Sequence, residues 1–270
     1  MSLRVETPES LPEYLAIIES LQAGTRPSLW YRGAGRSQYE LLPTLYRHPK
    51  AATPERLADL ERQLLTRFRQ RSVPFHNRSL VDDWEALFFM QHYGVPTRLL
   101  DWTENPLVAL HFALMASPHT VTKRGLPSFS HDAVVWVLDP VAWNQHALRH
   151  QSFDGGTLTP GDEPLKSYKP PAEFDNMNGA AVALYGAHNS ARIVAQQGVF
   201  VIFGRNTVPL EKFYANDGFP ADSLVKLLIK RKFVASIRST MLKHGITEAT
   251  VFPDLDGLAR EIKRLFGFEV

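Results

Sequence analysis

Apolar residues recur along this chain with two different periods. Leu11, Tyr14, Leu15, Ile18 and Leu21 fall at helical spacing behind the polar start Thr7-Pro8-Glu9-Ser10, and Gly24 punctuates their end. Leu29 to Arg32 reads as a short aromatic strand closed by two glycines. A long helix follows over about 54–71, with Leu57, Leu60, Leu64, Leu65 and Phe68 on one stripe. Asp82-Asp83-Trp84-Glu85 opens another helix, since acidic residues suit a helix N-terminus, and Gly94 stops it. Asn105-Pro106 starts the next one, with Leu107, Leu110, His111 and Leu114 sharing a face. Between these two helices, residues 96–103 form a loop or a short strand.

In the second half the pattern shifts toward sheet. Residues 133–138 are β-rich and stop at Asp139-Pro140, and residues 198–204 are an apolar run bracketed by glycines. Both read as central strands. Glycine, proline and charge dominate residues 152–178, which predicts a long surface loop or lid. Residues 223–229 are strand-like, residues 235–244 helical up to Gly245, and Asp254 or Asp256 opens a last helix. No clean boundary interrupts the chain. The expectation is α+β: one mixed domain with a central, mainly antiparallel sheet and helices around it, or else a helical N-terminal subdomain beside the sheet.

Composition removes several classes of chemistry. The chain has 30 basic and 28 acidic residues, a net charge of +2, so bulk electrostatics gives little support to a nucleic-acid coating role. It has no cysteine, which excludes disulfides, a thiol nucleophile and cysteine-bound metals. No apolar run approaches the ~20 residues that span a bilayer, and the N-terminus lacks a signal-peptide layout, so a cytoplasmic protein with no membrane partner is expected. The phosphate loop, the G-x-S-x-G elbow and the H-E-x-x-H helix are all missing. His146 and His150 stand at i and i+4 without a third ligand nearby, so no metal site is expected.

Two segments concentrate polar residues inside apolar surroundings: residues 30–35, running on to Leu41-Leu42-Pro43-Thr44, and residues 91–103. Each carries an arginine, Arg32 and Arg98, beside glycine or proline. A guanidinium keeps its charge, so each must meet an anion, a carboxylate or several carbonyls. Arg32, His92, Arg98, Asp101 and Gln197 thus make a set that is costly to bury unless its members satisfy one another or a ligand. Bland roles stay open: Arg32 paired with Asp101, Arg98 and Asp101 closing their own loop, His92 capping carbonyls, Thr103 as a helix cap, and Gln197-Gly198 as a bulge.

Tyr31-Arg32-Gly33, Leu42-Pro43-Thr44, the block from Gln91 to Thr103 with Asn105-Pro106 and Ala109, Gln197-Gly198-Val199-Phe200 and the closing Phe252-Pro253-Asp254-Leu255-Asp256-Gly257-Leu258 occur in order. Together they resemble the FRG domain family, named for its Phe/Tyr-Arg-Gly motif. The resemblance covers about 25–260 of a single domain spanning 1–270, with 1–24 as an N-terminal helix. It carries no activity by itself.

A looser resemblance links Tyr31-Arg32 to arginine-class ADP-ribosyltransferases, whose first core strand carries an aromatic-Arg pair. Those enzymes bind NAD in a cleft between that strand and later strands bearing a Ser-Thr-Ser-like segment and a Glu-x-Glu pair. The resemblance implies NAD as substrate without a metal, held by Tyr31, Arg32, Gly33, Thr97, Arg98, Trp102 and Thr103. Arg32 would clamp a phosphate, Thr97 or Thr103 would supply the hydroxyl, and Tyr93 or Trp102 would stack on nicotinamide. No Glu-x-Glu occurs in the chain. Gln196-Gln197 stands at its place, with Gln197 taken as the catalytic candidate, and because a glutamine cannot act as a carboxylate, His92 or Asp101 is left to supply the catalysis. The reaction implied is that of a bacterial toxin or anti-phage effector modifying a nucleic acid or a protein. Two alternatives remain: a nucleotide- or nucleic-acid-processing enzyme using His92 and Asp101, and a noncatalytic module gripping an anionic ligand or partner. The sequence leaves the oligomeric state open.

Overall fold

A computed structural model describes residues 2–23, 28–49, 53–75, 80–121, 127–171, 173–187 and 191–268. The turn assigned to Gly24 lies outside them. The predicted helices are present as α1 (Leu11–Gln22), α2 (Pro54–Ser72), α3 (Asp83–His92), α4 (Pro106–Met115), α8 (Arg231–Lys243) and α10 (Leu255–Leu265). Their caps follow the sequence. The side chains of Ser10, Asp82, Asn105 and Asp254 accept from backbone N–H groups in the first turns, and Gly94 and Gly245 take the left-handed φ that a helix stop needs. Shorter helices complete the set: α5 (Pro140–Ala147), α6 (Ala191–Ala195), α7 (Leu210–Asn216) and α9 (Glu248–Val251).

The central sheet has seven strands in the order β1-β9-β6-β2-β3-β8-β7. Their bounds are β1 (Arg4–Glu6), β2 (Trp30–Ala34), β3 (Leu99–Thr103), β6 (Ala133–Leu138), β7 (Val182–Leu184), β8 (Gly198–Ile202) and β9 (Leu224–Ile229). Only β1 against β9 is parallel, so the sheet is mainly antiparallel as expected. A hairpin of β4 (His119–Val121) and β5 (Pro127–Phe129) stands apart.

Alternation along the strands sorts side chains between two cores. Trp30, Val134, Trp136 and Leu138 face the side of α2, α3, α5 and α7, while Tyr31, Ala133, Val135 and Val137 face α1, α4 and α8. The result is one α+β unit with helices on both faces of the sheet. Residues 152–178 depart from the lid expectation: Leu158, Leu165, Tyr168 and Met177 are buried in the larger core, which fixes this segment to the body.

Candidate functional site

The site begins where the sheet comes apart. β2 pairs with β6 over five positions and β3 pairs with β8 over five, yet β2 and β3 meet only at Tyr31 and Thr103. Beyond that pair the strands diverge, and Arg32 occupies the gap. Its Nη1 donates to the backbone carbonyl of Asp101, a group that a continuous ladder would have satisfied with a backbone N–H. Arg32 is half-buried, and loss of hydration lowers its pKa from the usual guanidinium value, with Asp101 opposing and Arg47 adding to the shift.

A cleft of about 270 Å³ opens at this split. Arg32, Tyr31 and Gly33 form one wall, Asp101 to Thr103 the floor, Gln91 and His92 the C-terminal end of α3, and Arg192, Ile193 and Gln196 the far wall, with Phe112 of α4 behind. The cleft runs on into an open groove bordered by Thr44, Tyr93 and Gly94, which shares Gln91, His92, Asp101 and Arg192 with it.

Charge in the cleft is unbalanced toward the positive. Asp101 is the one carboxylate among the described lining residues, and its Oδ2 accepts from Gln91 Nε2 at 2.8 Å. Arg192 stacks over the Phe252 ring at 4.7 Å and has no carboxylate partner among the described residues. Partial burial, reinforced by the charge of Arg192, holds the His92 imidazole below its ordinary pKa, against a smaller pull from Asp101. His92 is therefore neutral at pH 7 and able to accept a proton.

Of the residues named from sequence, Tyr31, Arg32, Gly33, His92, Asp101, Trp102 and Thr103 line the cleft. Several of them have structural work there. Tyr31 is fully buried, takes a bond from Gln22 Nε2 at 2.9 Å, and has its phenol pushed up to about 12 by desolvation. Trp102 is 3% exposed, too enclosed to stack on a ligand face. Gly33 serves packing: a Cβ there would lie 1.8 Å from the Ala109 carbonyl oxygen, so its absence lets α4 rest directly on β2. The Thr103 hydroxyl donates to the Gln196 carbonyl at 2.5 Å and accepts from Asn105 N at 3.0 Å, tying the floor to the far wall.

Three expected contacts fall elsewhere. Arg98 is completely buried on the far side of β3, where Nε meets Glu61 Oε1 at 2.6 Å and the other nitrogens donate to the carbonyls of Phe203 and Tyr168 at 3.0 and 2.7 Å. Its anion is internal, so it does not reach the cleft. Thr97 is buried, with its hydroxyl donating to Gln91 Oε1 and accepting from Leu99 N at 3.0 Å; it positions Gln91 and does not itself line the cleft. Gln197 adopts φ of 45° in the turn from α6 to β8, and its carbonyl accepts from Glu104 N at 3.1 Å. Its neighbour Gln196 lines the cleft, with its amide given to the Val251 carbonyl at 3.1 Å. Tyr93, offered for stacking, is at the rim and largely exposed. Gln91, Phe112 and Arg192 were not singled out as site residues, and Gln196 only as the neighbour of Gln197; for Arg192, on a five-residue helix, no sequence signal distinguishes a cleft cation from a surface one.

The family model of the FRG domain matches residues 27–121. That stretch of the chain is an FRG domain. It contains Tyr31-Arg32-Gly33 and the block from Gln91 to Thr103, hence the wall, the floor and the α3 end of the cleft. Arg192, Gln196 and the closing Phe252 to Leu258 segment lie beyond the FRG match. No curated protein and no solved structure matches the chain. The FRG motif itself now has a physical content: the aromatic ring anchors β2 in the core, the arginine bridges the split, and the glycine admits α4.

Proposed function

We propose that the cleft binds NAD and that this FRG protein is an ADP-ribosyltransferase-like enzyme. The observation that supports this most is the meeting of Arg32, Arg192 and Asp101, the one carboxylate among the described lining residues, in a cleft made by the divergence of β2 and β3. Two guanidinium groups without a carboxylate ion pair among the described residues suit a pyrophosphate, which each can hold through charge-assisted bonds. About 270 Å³ lies just under the ~300–1,000 Å³ usual for small-molecule pockets, and the groove past Tyr93 supplies the remaining room.

The reaction assigns each polar group a task. The bond between the ribose C1′ and the nicotinamide nitrogen breaks, the electron pair leaves with nicotinamide, and positive charge develops on the ribose. Asp101, fixed by Gln91, faces that charge in place of the missing glutamate. The acceptor, a nucleic acid or a protein, forms the new bond to C1′ from the open side near Thr44 and Gly94. Its proton passes to neutral His92.

Calorimetric titration with NAD tests the binding step. Arg192→Ala is expected to weaken binding by about 10- to 100-fold while leaving thermal stability unchanged, the loss of one charge-assisted contact to phosphate. Absence of any binding, or binding indifferent to both Arg192→Ala and Arg32→Ala, would reject the assignment. A noncatalytic reading draws on one specific observation: of the two glutamines at the place of the Glu-x-Glu pair, Gln196 is the one that lines the cleft, and its amide is committed to the Val251 carbonyl. It predicts NAD binding of the same arginine dependence with no nicotinamide released.

A further inference from the structure

The closing motif from Phe252 to Leu258 lies beyond the FRG match, yet it reaches the far wall of the cleft. That wall is built on α6, which has only five residues, and so short a helix is kept in place by its contacts with the rest of the protein. Two of those contacts come from consecutive residues at the end of α9. The side-chain amide of Gln196 donates to the Val251 carbonyl at 3.1 Å, and the guanidinium of Arg192, one helical turn earlier, lies 4.7 Å from the centroid of the Phe252 ring. Gln196 and Arg192 both line the cleft. Phe252 in turn is seated by the motif it begins. Its ring is buried, meets Phe112 of α4 edge to face at 5.7 Å, and has the Arg260 guanidinium of α10 at 4.4 Å from its centroid. A Cβ on Gly257 would lie 2.0 Å from the Phe252 carbonyl oxygen, so that glycine lets α10 start directly against Phe252, and Asp254 caps the helix by accepting from Gly257 N at 2.7 Å.

A ring face is a suitable tether for a guanidinium that has an anion to bind. A carboxylate also orients an arginine, but it takes up N–H donors and cancels the charge, as Glu61 does for buried Arg98. An aromatic face attracts the cation through its quadrupole, leaves the charge in place and occupies no N–H donor. Arg192 has no carboxylate partner among the described residues, so the ring sets its direction. We propose that Phe252 is a positioning residue of the cleft, holding Arg192 toward the bound phosphates with its donors free, and that the motif from Phe252 to Leu258 completes a site whose other walls lie in the FRG match. The assignment rests on the reading of the cleft as the seat of the NAD pyrophosphate.

Calorimetric titrations with NAD and, separately, with inorganic pyrophosphate test this on the intact chain, on Phe252→Leu, Phe252→Tyr and Arg192→Ala, and on the double variant Phe252→Leu with Arg192→Ala. Phe252→Leu keeps apolar bulk but has no ring face, and is expected to weaken both ligands by about five- to tenfold. Phe252→Tyr keeps the face and is expected to stay within about twofold of the wild-type chain. In the Arg192→Ala background, Phe252→Leu is expected to have no further effect, because the ring acts through that arginine, whereas general structural damage would add to the loss. The Arg192 Nε–H proton resonance reads the same contact without any ligand. It is expected upfield in the wild-type chain and in Phe252→Tyr, under the ring, and to move downfield in Phe252→Leu. Pyrophosphate binding that follows this pattern without NAD binding would uphold the positioning role and reject the NAD assignment, and binding of neither ligand by the wild-type chain would reject both. Affinity unchanged in Phe252→Leu, a loss that adds in full to that of Arg192→Ala, or an Arg192 resonance that does not move would overturn the proposal.

Discussion

Arg98 is enclosed on every side, and its guanidinium is satisfied by Glu61 and two backbone carbonyls. Truncating it leaves a buried carboxylate without its cation, so Arg98→Ala is expected to destabilise the protein by about 3–5 kcal/mol in urea denaturation. Arg192 faces the cleft, and its loss is expected to fall on NAD binding with little effect on stability, whereas Arg32 also bridges the split to the Asp101 carbonyl, so Arg32→Ala is expected to weaken binding and to cost about 1 kcal/mol of stability as well. Gly33 is equally exacting for a different reason. Gly33→Ala puts a methyl group against the Ala109 carbonyl and 2.7 Å from Ala113 N, backbone that cannot move aside, and is expected to cost about 3 kcal/mol and lower the melting temperature. At His92, burial and Arg192 depress the pKa, so the neutral imidazole persists to lower pH than an ordinary histidine. Turnover is expected to be level above about pH 6.5 and to fall as acidity protonates His92 below that value. His92→Gln should remove the acid limb of the profile.

Elements with long periodic stripes were legible in the sequence, and short ones were not. α1, α2, α3 and α4 could be read from spacing and caps because each carries a polar N-cap and most carry a well-spaced apolar face. β1 and β7, with three residues each, contain too few alternations to announce a strand. β2 runs on through Gly33 to Ala34 where the glycines suggested an end, because β6 pairs with it across the whole span. Arg32, Asp101 and His92 were picked out from sequence because charge in an apolar run is costly, and the same argument picked out Arg98, whose anion turned out to be Glu61 from α2. Sequence separates a ligand-facing arginine from an internally paired one only if its partner is known. Gln196-Gln197 was read as one adjacent pair with Gln197 as the candidate, and the left-handed turn at Gln197 puts Gln196 in the cleft lining instead. At this scale Thr103 joins floor to far wall. Thr103→Val is expected to weaken NAD binding by roughly tenfold through loss of its bond to Gln196, with a stability loss of about 1 kcal/mol.

For the whole molecule, the most direct link between pH and stability is His111 on α4, enclosed beneath Phe112 and Phe252, whose pKa burial lowers to about 4. The unfolded chain binds this proton near pH 6.5 and the folded protein near 4, so the unfolded state holds more protons between those values. The contribution is complete above pH 6.5 and is lost as pH falls toward 4, on the order of 3 kcal/mol in all. His111→Phe is expected to flatten the stability profile in that window, as followed by thermal melts. The proposed function has a different whole-molecule origin: a sheet whose β2 and β3 meet at one position, with Arg32 of β2 at the gap and Arg192 of α6 across it.

The central claim is that this gap is where NAD is cleaved, and nicotinamide release by the purified chain tests it most directly. The account predicts measurable release from NAD that drops by at least about 100-fold in Arg32→Ala and Asp101→Asn, both still folded. No release from the wild-type chain in the presence of nucleic-acid or protein acceptors, or release unaffected by either substitution, would contradict it.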